Sequence, residues 1–547
     1  MPKSADLVAK AFKPLLSAAP TPERAQALKT LAKALGADGT TSPQLGALVK
    51  ALRSCGALAS VAECLKSAPG QESAARCTYF AARAETYTAR TLVDERVELL
   101  LLPLLIAPDD GLQQWAAAAL APVLAGDPFR ASKSIIEAGG VFTIVALLSS
   151  SSPDVRSHAL AALISLCSGV IEAAWPKSAV GSEEAKGLLC KLVDGAIDAG
   201  ICHSIIALLE VRDDVRVATA ALEAVIALSY SSKSFRHVLR SEIGGNVRLS
   251  TQLVTACGDR RFGAHALRVM ADACYCVDEQ TGAEDRVESA AASDAARGLF
   301  AAGALPVAIE ALGTEFETSM ELNQSLLLEA STLQGAEARG YASPGNSKRD
   351  DGARIAAALL AHAPGAAEEC LVGSQARMVA ALVSVVAFEL APSLAVREGK
   401  PRAVAALPAL TLCVSASARQ HDARPAVEAA QAGILELLAT HNFFDASLGY
   451  SLDHTPCRGL VATRSAMLVH ALIMACWRDS NEGSLLVLAL AAPPNGHTLS
   501  RLCGLLDGLV STGLAISDAG PPHPHLVDSL MTAILLALGS LCGAARP

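Results

Sequence analysis

The sequence predicts an all-α protein built as an array of helical repeats, and three observations predict it. Apolar residues recur at three- and four-residue spacing along almost the whole chain, with Pro, Gly and Ser breaking the pattern about every 10–20 residues. The two-residue alternation of a half-buried strand is missing. The composition agrees: 52% of residues are hydrophobic, yet only 4% are aromatic and 18% charged. The apolar content is therefore Ala, Leu and Val, the residues of close-packed helices, and disorder over most of the chain is excluded.

Taken in order, the start MPKSADLVAKAFKPLL is basic and weakly amphipathic. It reads as a first structural helix, with a transit peptide as the alternative. Between residues 4 and 68 four short helices follow one another: ADLVAKAFKPLLSA, PERAQALKTLAKALGA, PQLGALVKALRSCG and ALASVAECLKSA. Each ends near Gly, Pro or Ser, and such short connections make neighbours pack antiparallel. The longest uninterrupted apolar run, LLLLPLLIA at 99–107, is too short to span a bilayer. No membrane insertion is expected.

The segment 134–168, SIIEAGGVFTIVALLSSSSPDVRSHALAALISLCS, decides the architecture. A short apolar helix stops at Gly139-Gly140, where the missing Cβ permits a sharp turn. A second helix, VFTIVALL, ends at the Ser run and Pro153. A third starts at Asp154, with Leu160, Leu163, Ile164 and Leu166 on one face; Pro153 suits its first turn, where the missing N–H costs nothing. This three-helix pattern resembles the armadillo repeat. It recurs at 198–229, DAGICHSIIALLEVRDDVRVATAALEAVIALS, roughly 60 residues on against the usual 40–47. Residues 169–197, including Trp175-Pro176, therefore read as an elongated first helix or an insertion. Weaker echoes are AAGALPVAIEAL at 301–312, QAGILELLATHN at 431–442, and the tripeptide HAL at His158, His265 and His470.

The resemblance implies a right-handed armadillo-like α-solenoid over 1–547. Within it, 1–130 read as N-terminal helical or HEAT-like repeats and 131–276 as the best-matching armadillo repeats. Residues 277–353 read as degenerate repeats with polar surface loops at 277–298 and 331–353, the second carrying Ser343-Pro344. Residues 354–547 read as further degenerate repeats and a cap, with PPHPH at 521–525 before a closing helix, LVDSLMTAILLALGSLC. About 9–12 repeats are expected.

Charge and cysteine usage narrow the function. Lys+Arg 45 against Asp+Glu 54 gives a formal charge of -9 and a pI near 5.8, which argues against a nucleic-acid binder. The 15 cysteines are scattered, without a CxxC, and read as reduced, buried thiols of an intracellular, cytoplasmic protein. No GxxxxGK[ST], GxGxxG, HExxH, GxSxG or HRD segment is present. The cluster Asp453, His454 and Cys457 has no Gly-rich neighbour to offer an oxyanion hole. His523 and His525, with the distant Cys457, Cys476 and Cys503, lack the close ligand pairs of a zinc site. No catalytic residue, metal, cofactor or small-molecule substrate is expected.

In armadillo proteins the third helices line the working groove. Importin α proteins place a Trp there, and an Asn four residues later, to hold a basic peptide. Here the Trp position falls on Ala161, Glu223 and Arg268 and the Asn position on Ser165, Ala227 and Asp272, so that ladder is absent. The resemblance instead puts Glu223, Arg268 and Asp272 in the groove, with Arg216 and Arg261 near the starts of the same helices. That mixed surface suits a charged protein partner; solvated groove residues with no partner are the alternative. The expected function is a non-catalytic scaffold or adaptor. A nucleotide exchange factor for a heat-shock chaperone or small GTPase, and a structural component of a larger assembly such as a ciliary axoneme, are the alternatives.

Overall fold

The computed structural model describes residues 22–36, 42–66, 70–174, 183–210, 214–259, 263–276, 286–313, 348–363, 376–389, 406–419, 424–440 and 456–476, with a few isolated positions besides. The expected first helix, Trp175, Arg261, Ser343-Pro344, the Asp453-His454 pair, PPHPH and most of the closing helix lie outside them. Among the described residues every regular element is helical. Packing divides them into two compact units. The first takes in residues up to Val238 with Asp259 and 263–265; the second takes in Leu239–Gly258 and those from Ala266 onward.

In the first unit the helices come in threes. Ser42–Ser54, Ala57–Cys64 and Gln71–Ala84 make one set. Thr86–Asp94, Val97–Leu101 (prolonged by the 3-10 turn Leu102–Ile106) and Asp110–Leu124 make the next. Pro128–Glu137, Gly140–Ala146 (prolonged by Leu147–Ser149) and Pro153–Ala174 follow, then Glu183–Asp198, Ile201–Glu210 and Val215–Ser231. Pro22–Leu35 precedes them in the third-helix place. Each third helix lies against the next: Pro22–Leu35 on Gln71–Ala84, then Asp110–Leu124, Pro153–Ala174 and Val215–Ser231.

The second unit repeats the plan, with residues 233–238 and 263–265 of its opening helices counted in the first. Lys233–Gly245 and Val247–Cys257 lead to Gly263–Cys274, and Arg286–Ala301 with Ala304–Gly313 leads to Lys348–His362. Ala376–Glu389 precedes Ala406–Arg419, and Arg424–Gln431 with Ile434–Thr440 precedes Pro456–Cys476. Lys348–His362 packs on Ala406–Arg419, which packs on Pro456–Cys476.

Third helices can touch on both sides because their residues are small. Ala116–Ala121 and Ala159, Ala161 and Ala162 are buried beside Leu120, Val123, Leu160, Leu163 and Leu166. Each fully buried leucine contributes about 1.5–3 kcal/mol. Gly126, just past one third helix, and Gly169, inside the next, stand at the same distance from the starts of their helices, where a first-helix backbone passes. A Cβ at Gly126 would lie 2.3 Å from the Ala89 carbonyl carbon, and one at Gly169 2.5 Å from the Pro128 oxygen. Pro153–Ile171 is long and apolar enough, by length and composition, to cross a membrane; here it lies between Asp110–Leu124 and Val215–Ser231.

The structure corrects two loop expectations. Residues 286–298 of the expected loop 277–298 belong to Arg286–Ala301, whose Ala291, Ala292, Ala295, Ala296 and Leu299 are buried. Alanine supplied that stripe, and the charges around it masked it. Residues 348–353 of the expected loop 331–353 begin Lys348–His362, where Asp351 and Arg354 are themselves buried. Residues 277–285 and 331–347 lie outside the described residues. The extra length at 169–197 also resolves differently: the third helix itself runs on to Ala174, 22 residues in all, before the separate first helix Glu183–Asp198.

The corner between first and second helices is nearly square. The axes bend by 88° at Gly56, 87° at Gly139 and 91° at Gly303, and by 60° at Gly200. Each corner residue is left-handed, with φ between 73° and 88° at these glycines. At one corner the sequence supplies Arg96 instead, at φ 57°. The Val247–Cys257 corner is built otherwise: Asn246 is extended, and its Oδ1 accepts from Arg248 N and Leu249 N. A left-handed conformation costs an L side chain about 1–2 kcal/mol. A Cβ added at Gly139 would meet nothing within 4 Å, so Gly139→Ala isolates that cost. We expect a loss of about 1 kcal/mol, read from the urea midpoint, and a gain of similar size from Arg96→Gly.

Candidate functional site

First and second helices cover one side of each third helix, and neighbouring third helices cover the flanks. The side chains left over form polar rows. In the first unit, Gln114 Nε2 donates to Asp154 Oδ2 at 3.2 Å, joining Asp110–Leu124 to Pro153–Ala174. Arg216 Nη2 reaches Asp154 Oδ1 at 3.2 Å and Asp214 Oδ2 at 3.0 Å, joining the next third helix. Glu223 Oε1 lies 3.6 Å from His265 Nε2. Third helices are thus linked in series by side-chain contacts. His158 sits in this row; burial holds its imidazole below the ordinary range, Asp154 opposes that, and Arg216 and Arg83 reinforce it.

Of the five residues expected in a groove, Arg216 is the most open, its side chain 68% exposed, and Glu223 follows at 36%. Arg261 lies outside the described residues. Arg268 and Asp272 are directed inward, in the second unit, into a cluster of four charges. Asp272 Oδ1 accepts from Arg354 Nη1 at 2.9 Å, and its Oδ2 accepts from Arg268 Nε at 3.1 Å. Asp351 Oδ1 accepts from Arg268 Nη1 at 3.3 Å and from Arg354 Nη1 at 3.4 Å. The Arg354 guanidinium lies 5.3 Å over the Tyr275 ring. Arg240, 2% exposed, closes the C-terminus of the same helix, donating to the carbonyls of Ala273 at 2.9 Å, Asp272 at 3.2 Å and Tyr275 at 3.3 Å. A cation there also meets the negative end of the helix dipole.

The two carboxylates differ because the arginines serve them unequally. Burial would raise both, yet at Asp272 the two close guanidiniums, Arg354 and Arg268, outweigh it and hold the carboxyl below the ordinary range. Asp351 takes both arginines through one oxygen at longer range. Burial wins there over Arg268 and Arg354, Asp272 adds repulsion, and the carboxyl is pushed up to about 6.

Sequence reasoning missed a second cluster, on the third helix Gln71–Ala84. Arg76, Tyr79, Phe80 and Arg83 fall at the i, i+3, i+4, i+7 spacing of one face. Tyr79 and Phe80 pack edge-on with centroids 5.1 Å apart, and Trp115 of the next third helix closes on them at 5.7 and 5.8 Å. Arg76 stacks 4.8 Å from the Trp115 ring and 5.8 Å from Phe80. Arg83 stacks on Tyr79 and donates to its hydroxyl at 2.6 Å. In a chain with 4% aromatics, the string RCTYFAAR was the available signal.

Among the described residues no group of three His, Cys, Asp or Glu could hold a metal ion. Burial pushes the thiols of Cys167, Cys257, Cys274 and Cys413 up to about 12, away from a reactive thiolate.

Removing one member of the buried cluster leaves a charge without its partner, so Asp272→Asn should cost about 3–5 kcal/mol in denaturant unfolding. Asp351 behaves oppositely with pH. Its folded pKa is raised, so its stabilising contribution is present below pH 4 and is lost as pH rises through about 6. Between pH 4.5 and 7 the stability of Asp351→Asn should therefore rise relative to wild type, by on the order of 1–2 kcal/mol.

No protein-family model matches the chain, and no curated protein matches it by sequence. Solved structures do. The crystal structure of an engineered protein from a structural genomics consortium aligns over 98% of this chain and 99% of its own, at 18% identity and a TM-score of 0.54. A designed armadillo repeat protein aligns over 51% of this chain and 99% of its own, at 20% identity and a TM-score of 0.35. Computationally designed armadillo repeat proteins for modular peptide recognition align over 48% and 98%, at 20% identity and 0.38. The full-length likeness, with the three-helix sets and their left-handed corners, establishes an all-α, armadillo-like solenoid fold.

Proposed function

We propose that the chain is a non-catalytic scaffold or adaptor of the cytoplasm, holding an extended segment of a partner protein against the open faces of its third helices. The observation that carries this reading is the polar and aromatic row of the first unit. Tyr79, Trp115, Asp154, Arg216 and Glu223 stand on four successive third helices, a surface that recurs at repeat spacing and suits a linear ligand. Its charges are of both signs, which favours register and specificity over bulk affinity. The buried, protonated thiols support a structural use of cysteine and a reducing compartment.

The test is affinity purification of the tagged chain from its own cells, with and without added nucleotide, beside the double variant Arg216→Glu, Glu223→Lys. Both positions are open enough to leave the fold intact, which circular dichroism checks. We expect one partner recovered equally with and without nucleotide and reduced at least about tenfold by the variant. A partner released by nucleotide would replace the scaffold reading with an exchange factor. A partner retained in full by the variant would remove the row from the interface.

A further inference from the structure

We infer that the aromatic shelf of the first unit is a carboxylate-binding site, and that it receives an acidic stretch of the partner segment. This rests on the scaffold reading and names the chemistry of the partner. Arg76 is the central residue. It is half-buried, set against the adjoining Trp115 and Phe80 rings, and no acidic side chain among the described residues lies within ion-pair distance of it. Its Nε is buried without a hydrogen-bond partner. Glu72, one helical turn earlier, is turned elsewhere: its carboxyl carbon lies 3.3 Å from where a Cβ on Gly111 would stand.

Such an arginine differs from the others in the row. Arg216 has Asp154 and Asp214, whereas Arg76 has only ring faces. Rings orient the guanidinium and exclude water from the side they cover without neutralising the charge. A planar, pre-oriented guanidinium with open Nη atoms matches a carboxylate in the paired N–H···O geometry. Arg83, held over Tyr79 on the same face two turns further on, places a second cation at a spacing that an extended chain with neighbouring acidic residues can reach. The flanking rings of Tyr79 and Trp115 offer apolar area to the aliphatic stems of glutamates. Binding here cannot come from general electrostatic attraction, because the chain as a whole carries -9; a polyanion held against that field needs a local site.

The test uses the full chain and an octaglutamate peptide, with octalysine and decauridylate as comparison probes, followed by calorimetry and by tryptophan fluorescence. A Trp115→Phe variant assigns the optical signal. We expect octaglutamate to bind and quench Trp115. Arg76→Met should weaken that binding at least about tenfold, and Arg76→Lys, which keeps charge but not the planar fork, should lie between. Arg76→Lys also covers the case in which Arg76→Met fails to fold. Unchanged octaglutamate binding in both variants, or preference for octalysine, overturns the inference; tighter binding of decauridylate replaces it with a nucleic-acid surface. The cellular partner separates this failure from failure of the scaffold reading: a partner recovered undiminished with Arg76→Met sinks the carboxylate site and leaves the scaffold standing.

Discussion

A third helix in this protein can bury its alanine- and leucine-rich sides only against the third helices of the repeats on either side. First and second helices cover a single flank, and a lone three-helix set would leave the others wet. Stability therefore depends on neighbours, and the local devices serve the stacking. The left-handed corners at Gly56, Gly139, Gly200 and Gly303 turn the second helix back so that the third can lie alongside its predecessor. Gly126 and Gly169 let first-helix backbones come close enough for the third helices to remain in register.

Close stacking of small residues leaves little room for polar groups, and the two units treat theirs differently. In the first, contacts between third helices run from the open pair Asp154 with Arg216 to the part-buried contacts of Gln114 with Asp154 and Glu223 with His265. An exposed pair such as Asp154 with Arg216 is worth only a few tenths to about 1 kcal/mol, so it costs little to exchange for a ligand. In the second unit the cluster of Arg268, Asp272, Asp351 and Arg354 is largely buried. Its carboxylates and guanidiniums pair with one another, and their desolvation makes the arrangement specific to one partner helix and expensive to open. The same residue classes at equivalent helix positions are thus available for binding in one place and committed to the fold in the other.

How much of this was legible follows from sequence separation. The corners at Gly139, Gly200 and Gly303 announce themselves, since a glycine between two short apolar helices has a local meaning. Arg96 does not, because an arginine at a left-handed corner looks like any surface residue. The helix Arg286–Ala301 was hidden by its charges, as its buried stripe is almost all alanine. Arg216 and Glu223 were placed from the repeat pattern and are open. Arg268 and Asp272 follow from the same pattern, but their environment depends on Asp351 and Arg354, about 80 residues later, the first inside and the second just after the segment that reads as a loop. The Arg76 shelf needed Trp115 from the following repeat, a contact that no single-helix pattern contains.

Hydrogen exchange measured by mass spectrometry on Gly169→Ala probes the stacking dependence most directly. The added methyl group must push Pro153–Ala174 off the Pro128 backbone. Nearest-neighbour coupling predicts faster exchange in Pro153–Ala174 and in the two third helices it touches, Asp110–Leu124 and Val215–Ser231, with Pro456–Cys476 unchanged. Acceleration spread evenly over all the helices, or confined to Pro153–Ala174 alone, would contradict the account.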